Sequence, residues 1–473
     1  MRIVGLDLAV TGTHKGVVMT DRGKYVSPVF TLRTQPEELE QLLTRAGEGA
    51  EEDESIVVVM ESTGHAWLPV SAYLMERGVT VYVVNTQQVV DLRRFYQKHA
   101  KSDRIDARVL AKLPLVNPDK LHALRPPSGE LLAMQRACKQ VAWLTSQSTA
   151  VKNQIIAVDR LLWLDGWQGF VFKDAFGCAA RWCRRHYYHP NRVLETPTDL
   201  IQQAWQSAAP PQSQEHDWPE ALNQLAAKVV CVYGESGRYI DFNSFEAEII
   251  SKQGYLETVE AEKRRLRREV IRPLYRKCHP QRHLETVPGV GEYSAPIYLS
   301  FIGDPHRFAN ASAFRGWSGM VPRSSQSGSH QGKGLHISQA GPNLIKHTSY
   351  LNADVARRYD PQLAKLYYDQ MVNKGRHHHQ AVCAVATHLL NRILVVLKQD
   401  RPYELRDIDG TPLSKGQART LVLSHYTVPS SVRKSRRRRS RQQLQHQRTE
   451  RHFQNKERES VINNELRMTR SLA

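Results

Sequence analysis

The sequence predicts an α/β fold over its first 115 residues and a mostly helical remainder. Three observations carry that prediction. Short β-branched runs alternate with helical patterns up to about residue 115, the apolar spacing turns helical from Leu131 onward, and acidic residues stand at the ends of β-branched runs where packing alone would not ask for them.

In chain order, strands are predicted at 3–8, 16–19, 26–32, 56–60 and 79–84, with helices around 37–43, 67–75 and 103–113. Two strands joined early by a short turn, then strands alternating with helices, suit a mixed sheet of the ribonuclease H type with carboxylates near strand ends. Asp7 closes the run Ile3-Val4-Gly5-Leu6, and Glu61 closes Val57-Val58-Val59-Met60. A charge beside a buried strand is costly unless it is paired or bound to metal. Asp103 and Asp106 are spaced i, i+3, so one helix face can direct both at one ion. Four oxygen ligands suit Mg²⁺ or Mn²⁺, the ions of phosphodiester chemistry. The competing expectation is that a strand-end Asp is a turn residue and that Asp103 caps a helix. Arg93, Arg94, Lys101, Arg104 and Arg108 flank the Asp pair, either to hold a phosphate backbone or as a solvated helix face.

Lys and Arg number 66 against 47 Asp and Glu, a net +19, which points to nucleic acid as partner. Residues 431–473 alone hold 13 Lys/Arg against 4 Asp/Glu, and are expected to be a basic, disordered tail. The six cysteines are scattered, and the chain opens on a strand pattern rather than a signal peptide, so a reducing cytoplasm is expected. No stretch approaches the length of a membrane span, and no membrane partner is expected. Cys178, Cys183, His186 and His189 have a spacing unlike the usual zinc patterns and are expected to be buried thiols and surface histidines. His377-His378-His379 reads as a polar surface patch.

A long helix is predicted from Leu131 through Leu162, and a second from Phe245 to a stop at Pro273, packed antiparallel as a coiled-coil segment spanning 116–280. Residues 163–243, with five tryptophans, read as an inserted, mostly helical subdomain. The segment Val287-Pro288-Gly289-Val290-Gly291 within 281–430 has the signature of a helix-hairpin-helix turn; Gly289 and Gly291 are candidate phosphate contacts, with a plain structural turn as the alternative. The Gly/Ser-rich loop 316–334 reads either as a linker or as a loop exposing a hydroxyl to phosphate chemistry, with Arg323, Lys333 and Lys346 near it.

Asp7, the Glu61-Ser62-Thr63-Gly64 context, Lys101-Ser102-Asp103-Arg104-Ile105-Asp106-Ala107, the Val287–Gly291 turn, Gly319-Met320-Val321-Pro322-Arg323 and Gln326-Ser327-Gly328 together resemble the DEDD transposases of the insertion-sequence 110 family, which includes Piv-type DNA invertases. The likeness covers most of 1–160 and 280–400. It implies a RuvC-like N-terminal domain at 1–115 and a C-terminal transposase domain at 281–430 whose nucleophile is Ser327, with Ser324 and Ser325 as alternatives. It further implies donor and target DNA as substrates, a bridge RNA guide, and a homo-oligomer of two to four copies in a bacterial or archaeal cytoplasm, at the nucleoid. The large insertion and the basic tail depart from the common pattern. Two rivals remain at this stage: a RuvC-like junction nuclease using the carboxylates alone, and a noncatalytic nucleic-acid-binding protein.

Overall fold

The structure, a computed structural model, describes residues 1–51, 54–62, 64–96, 102–209, 218–234, 238–322, 326–327, 330–331, 337–338, 340–438 and 442. The chain divides into two compact units, Met1–Pro126 and Pro127–Ala473.

The first unit is the expected mixed α/β sheet. Its elements are β1 (Arg2–Asp7), β2 (His14–Thr20), β3 (Phe30–Leu32), α1 (Pro36–Gly47), β4 (Ile56–Glu61), α2 (Trp67–Met75), β5 (Thr80–Val84), α3 (Thr86–Tyr96) and α4 (Asp103–Val116). The strand order is β3-β2-β1-β4-β5, with β1 antiparallel to β2 and parallel to β4. Strand alternation sorts the side chains. Val4 and Leu6 of β1 and Val58 and Met60 of β4 pack with Leu39, Leu42, Val70 and Leu74 of α1 and α2. Ile3, Val57 and Val59 pack on the opposite face with Val89, Ala107, Leu110 and Ala111 of α3 and α4.

Two local expectations differ. The third strand starts at Phe30 rather than residue 26, because Pro28 lacks a ladder N–H; there the Val18 amide donates to the Ser27 hydroxyl at 2.9 Å. Helix α3 is an additional element that the pattern hid, since it buries only Val89 and leaves Phe95 exposed, so its apolar residues mark no clear buried face.

The second unit begins with α5 (Gly129–Leu162), 34 residues long, followed by α6 (Cys178–His186), α7 (Pro190–Glu195), α8 (Thr198–Ala208), α9 (Trp218–Tyr233) and α10 (Phe242–Arg265). The pairs Lys277–Glu130 and Lys152–Glu260 run in opposite order along the two long helices, so they lie antiparallel. The second helical run does not stop at Pro273. It continues through a π-helical turn, Leu266–Ile271, into α11 (Arg272–Cys278), with Pro273 in the first turn of α11. The π-helical turn that precedes Pro273 shifts the local hydrogen-bond pattern, and the helix passes through the proline there.

Helix α5 serves two cores. Met134, Ala137, Cys138 and Val141 join the C-terminal core, whereas Val151, Ile155, Val158 and Leu162 join a core built by the tryptophan-rich insertion. Within that insertion Cys183 is fully buried, the His186 ring packs tilted against Trp182, and His189 caps α7. Asp159 of α5 pairs with Arg184 of α6, both buried, and accepts a hydrogen bond from Tyr188.

The C-terminal elements are α12 (Ala295–Ile302), α13 (Ala311–Ser318), the short strands β6 (Gln326–Ser327) and β7 (His330–Gln331), α14 (Asn343–Ala356), α15 (Pro361–Tyr368), α16 (His378–Gln399) and α17 (Lys415–His425). By length and composition α16 is apolar enough to cross a membrane, which corrects the expectation that no stretch is. Here Val385, Ala386, Leu389, Leu390 and Ile393 bury it in the C-terminal core. The tail expected to be disordered from residue 431 begins instead as a helix over 430–438, because Val428 is buried and Val432 packs against that core.

Candidate metal centre and serine loop

Parity along the strands sets the carboxylates. Ile3 and Gly5 face α4, so Asp7 at the end of β1 falls on that face; Val57 and Val59 face it too, so Glu61 at the end of β4 follows. Leu6 pairs in parallel with Met60, which sets Asp7 and Glu61 at the same end of neighbouring strands. Helix α4 crosses β1 at Gly5, where a Cβ would lie 2.1 Å from the Ala107 carbonyl oxygen and 2.5 Å from the Ala111 nitrogen. Only glycine allows that approach.

The C-terminal residues of α4 reach the other end of β1. A Cβ at Gly23 would lie 3.7 Å from the Leu115 side chain, and the neighbouring Asp21 amide donates to the Met1 carbonyl. The N-terminal turn of α4, with Asp103 and Asp106, is therefore at the carboxylate end. Ser102 caps it, accepting from the Ile105 amide, so Asp103 is a first-turn residue rather than the cap.

Asp106 is buried and both its oxygens accept from Arg93 Nη1 at 2.8 Å. Arg93, a candidate phosphate ligand by sequence, is thus the partner of a candidate metal ligand. Arg94, Arg104 and Arg108 are exposed, with Arg108 lying 5.5 Å from the Tyr25 ring centre; Lys101 falls outside the described residues. Phe95, beside Arg94, is 80% exposed.

The donors are oxygen only, the kind that Mg²⁺ or Mn²⁺ takes, and all four belong to one end and one face of the sheet. Their donor chemistry suits a divalent ion. The set is not closed, however: among the described residues no three acidic, His or Cys side chains are gathered tightly enough to hold a metal. Arg93 neutralises Asp106 in that open arrangement. His14 is a feature the sequence reading missed. It is buried, its Nδ1 accepts from the Ala9 amide at 3.1 Å and its Nε2 meets the Thr34 hydroxyl at 2.8 Å, which fixes the exit of the chain from β1. Burial pushes its pKa down, keeping the ring neutral.

In the second unit the serine loop is clamped at its base. Gly319 and Gly341 have positive φ, and a Cβ on either would strike backbone: 1.8 Å from the Ala340 oxygen and 2.1 Å from the Trp317 oxygen. Pro322 bridges Ile337, and the Ser338 amide donates to the Val321 carbonyl at 2.7 Å. Thr387 of α16 donates to the Met320 carbonyl and Lys346 to that of Ala340, so Lys346 serves the clamp. Beyond the clamp, Ser327 pairs with His330 in a two-stranded hairpin. Arg323, Ser324, Ser325 and Lys333 lie outside the described residues.

The hairpin turn at Gly289 has φ +82°, and a Cβ there would lie 2.3 Å from the Asn352 carbonyl oxygen of α14. The Gly291 amide donates to the Ser294 hydroxyl at 3.0 Å. Gly289 therefore has a structural use in docking this turn on α14, whereas the Gly291 amide is engaged locally by Ser294 and a side chain there would meet open space. His377 caps α16, His378 bonds the Tyr367 hydroxyl at 2.9 Å and His379 that of Tyr350 at 2.5 Å.

A mixed sheet edged by carboxylates, followed along the chain by a largely helical unit that carries a serine hairpin, matches the expected transposase organisation, and comparison agrees on the family. Residues 4–161 match the IS110 DEDD model, described as "Transposase", and residues 281–368 match "Transposase IS116/IS110/IS902 family", together just over half of the chain. The chain belongs to the IS110 family of transposases. It is 28% identical over 131 residues to an IS110 insertion-element protein of Streptomyces coelicolor, covering 28% of this chain and 32% of that one. It is 30% identical over 125 residues to the pilin gene-inverting protein of Moraxella lacunata, covering 26% and 38% respectively. A third relative, an IS900 insertion-element protein of Mycobacterium paratuberculosis, is 32% identical over 126 residues, 26% of this chain and 31% of its own. The chain thus spans about a third of the length of the curated relatives it matches.

Proposed function

We propose that this protein is a DNA recombinase that cuts and rejoins DNA strands, with a RuvC-like N-terminal unit and Ser327 as nucleophile. The observation that carries the reading is the arrival of Asp7, Glu61, Asp103 and Asp106 at one end and one face of the same sheet. Asp7, Glu61, Asp103 and Asp106 would hold Mg²⁺ or Mn²⁺. When bound, such an ion polarises a phosphate and lowers the barrier to deprotonating the attacking oxygen.

The Ser327 hydroxyl attacks a DNA phosphorus, a P–O bond to the DNA breaks, the serine proton departs to solvent or base, and the leaving DNA oxygen takes up a proton. The phosphoserine ester keeps the bond energy, so attack by a different DNA hydroxyl restores a phosphodiester without ATP. Arg94, Arg104 and Arg108, exposed along α3 and α4, would steady the DNA backbone. The pilin gene-inverting relative favours inversion or transposition over simple hydrolysis. Donor and target DNA are the substrates in this reading, a bridge RNA the guide, and a homo-oligomer the working form.

The test is incubation with Mg²⁺, co-purified RNA and labelled DNA, read on a denaturing gel for a protein–DNA adduct. Ser327→Ala should abolish the adduct while Ser324→Ala and Ser325→Ala retain it. Cleavage persisting in Ser327→Ala would favour a carboxylate-only nuclease instead.

A further inference from the structure

The helical start of the basic tail is held at several points. The Arg433 amide donates to the Pro429 carbonyl at 3.1 Å, Val432 packs on the C-terminal core, and Arg436 Nε donates to the Met371 carbonyl at 3.3 Å. A Cβ at Gly375 would sit 3.4 Å from the same guanidinium, which lies against that turn. Arg436 is thus spent on docking. Arg433, Lys434, Arg437 and Arg438 are exposed, as are Lys374 and Arg376 on the adjoining turn. Among the described residues none of these six forms an ion pair with a carboxylate. The nearby acids are engaged: Asp354 with Arg357 and Arg358, Asp369 with Lys365. Six cations on one helix and its adjoining turn, with no carboxylate partner among the described residues, repel one another until an anion offsets them.

We propose that the docked helix 430–438 and the Lys374–Arg376 turn form a fixed seat for the sugar-phosphate backbone of duplex DNA. The helix carries only Ser, Val, Lys and Arg. It has no aromatic side chain on which an unpaired base could stack, as single-stranded or looped RNA would require. Docking removes the ordering cost that a free tail would meet on binding. The seat deepens the recombinase reading, and it is tested without strand cleavage so that the two can fail separately.

The experiment uses the full chain in EDTA, with a short fluorescent duplex and a matched single-stranded RNA, and follows anisotropy over a salt series. The variant Arg433→Gln/Lys434→Gln/Arg437→Gln should flatten the slope of log affinity against log salt for the duplex by about 2.7, at about 0.9 per phosphate contact. Val432→Ser and Arg436→Gln keep or nearly keep the exposed cations but undock the helix. Each should weaken duplex binding by about tenfold, with the thermal melt of the body retained. An unchanged slope in the triple variant overturns the proposal. So does full affinity in both undocked variants, which would make the cations a flexible tail, and so does an effect confined to RNA.

Discussion

Replacing Arg93 by Met isolates the cost of the unclosed carboxylate set. The Arg93 and Asp106 side chains are 15% and 11% exposed and meet at 2.8 Å. Removing one partner of such a pair strands a carboxylate at about 3 kcal/mol. In a unit of this size that lowers the melting point by roughly 10 °C. Differential scanning calorimetry in EDTA should register the shift in the transition of the first unit, and Arg93→Met/Asp106→Asn should recover most of it. Adding Mg²⁺ should raise the melting point more in Arg93→Met than in wild type, because Asp106 is no longer held by the guanidinium; at a hundredfold excess over Kd an ion stabilises by about 2.7 kcal/mol. Equal melting of Arg93→Met and wild type in EDTA would refute the claim that Asp106 depends on Arg93. An equal Mg²⁺ response in the two would refute the competition between guanidinium and ion.

Other consequences follow from the packing. Gly289→Ala puts a Cβ against the Asn352 carbonyl at a positive-φ position and should cost about 2 kcal/mol or more in urea unfolding of the second unit. Arg184→Met leaves Asp159 buried with only Tyr188 as partner and should cost about 3–5 kcal/mol, while Asp159→Leu/Arg184→Met should regain most of it. Burial lowers the pKa of His279, whose Nε2 accepts from the Leu284 amide. A depressed folded pKa gives stability above the unfolded value of about 6.5 that is lost as pH falls through it, so the urea midpoint should drop between pH 7.5 and pH 5.5, and less so in His279→Gln.

The sequence by itself determined the α/β-then-helical order, the strands ending in Asp7 and Glu61, the i, i+3 acidic pair and a long helix from Leu131 through Leu162, because each rests on a local period or on a charge out of keeping with its neighbours. It could not decide partners. Arg93 looks like any phosphate-seeking cation until α3, an unforeseen element, brings it to Asp106; Lys346 and Gly289 looked like ligand contacts until their neighbours proved to be the serine-loop base and α14. Proline at 273 looked like a stop, yet a π-turn carried the helix past it, and a run of arginines looked disordered until Val428 and Val432 found a core. In each case a short-range pattern fixes what a segment can form, whereas the tertiary structure decides which remote group it meets, since burial and ion pairing depend on distances that sequence spacing does not encode.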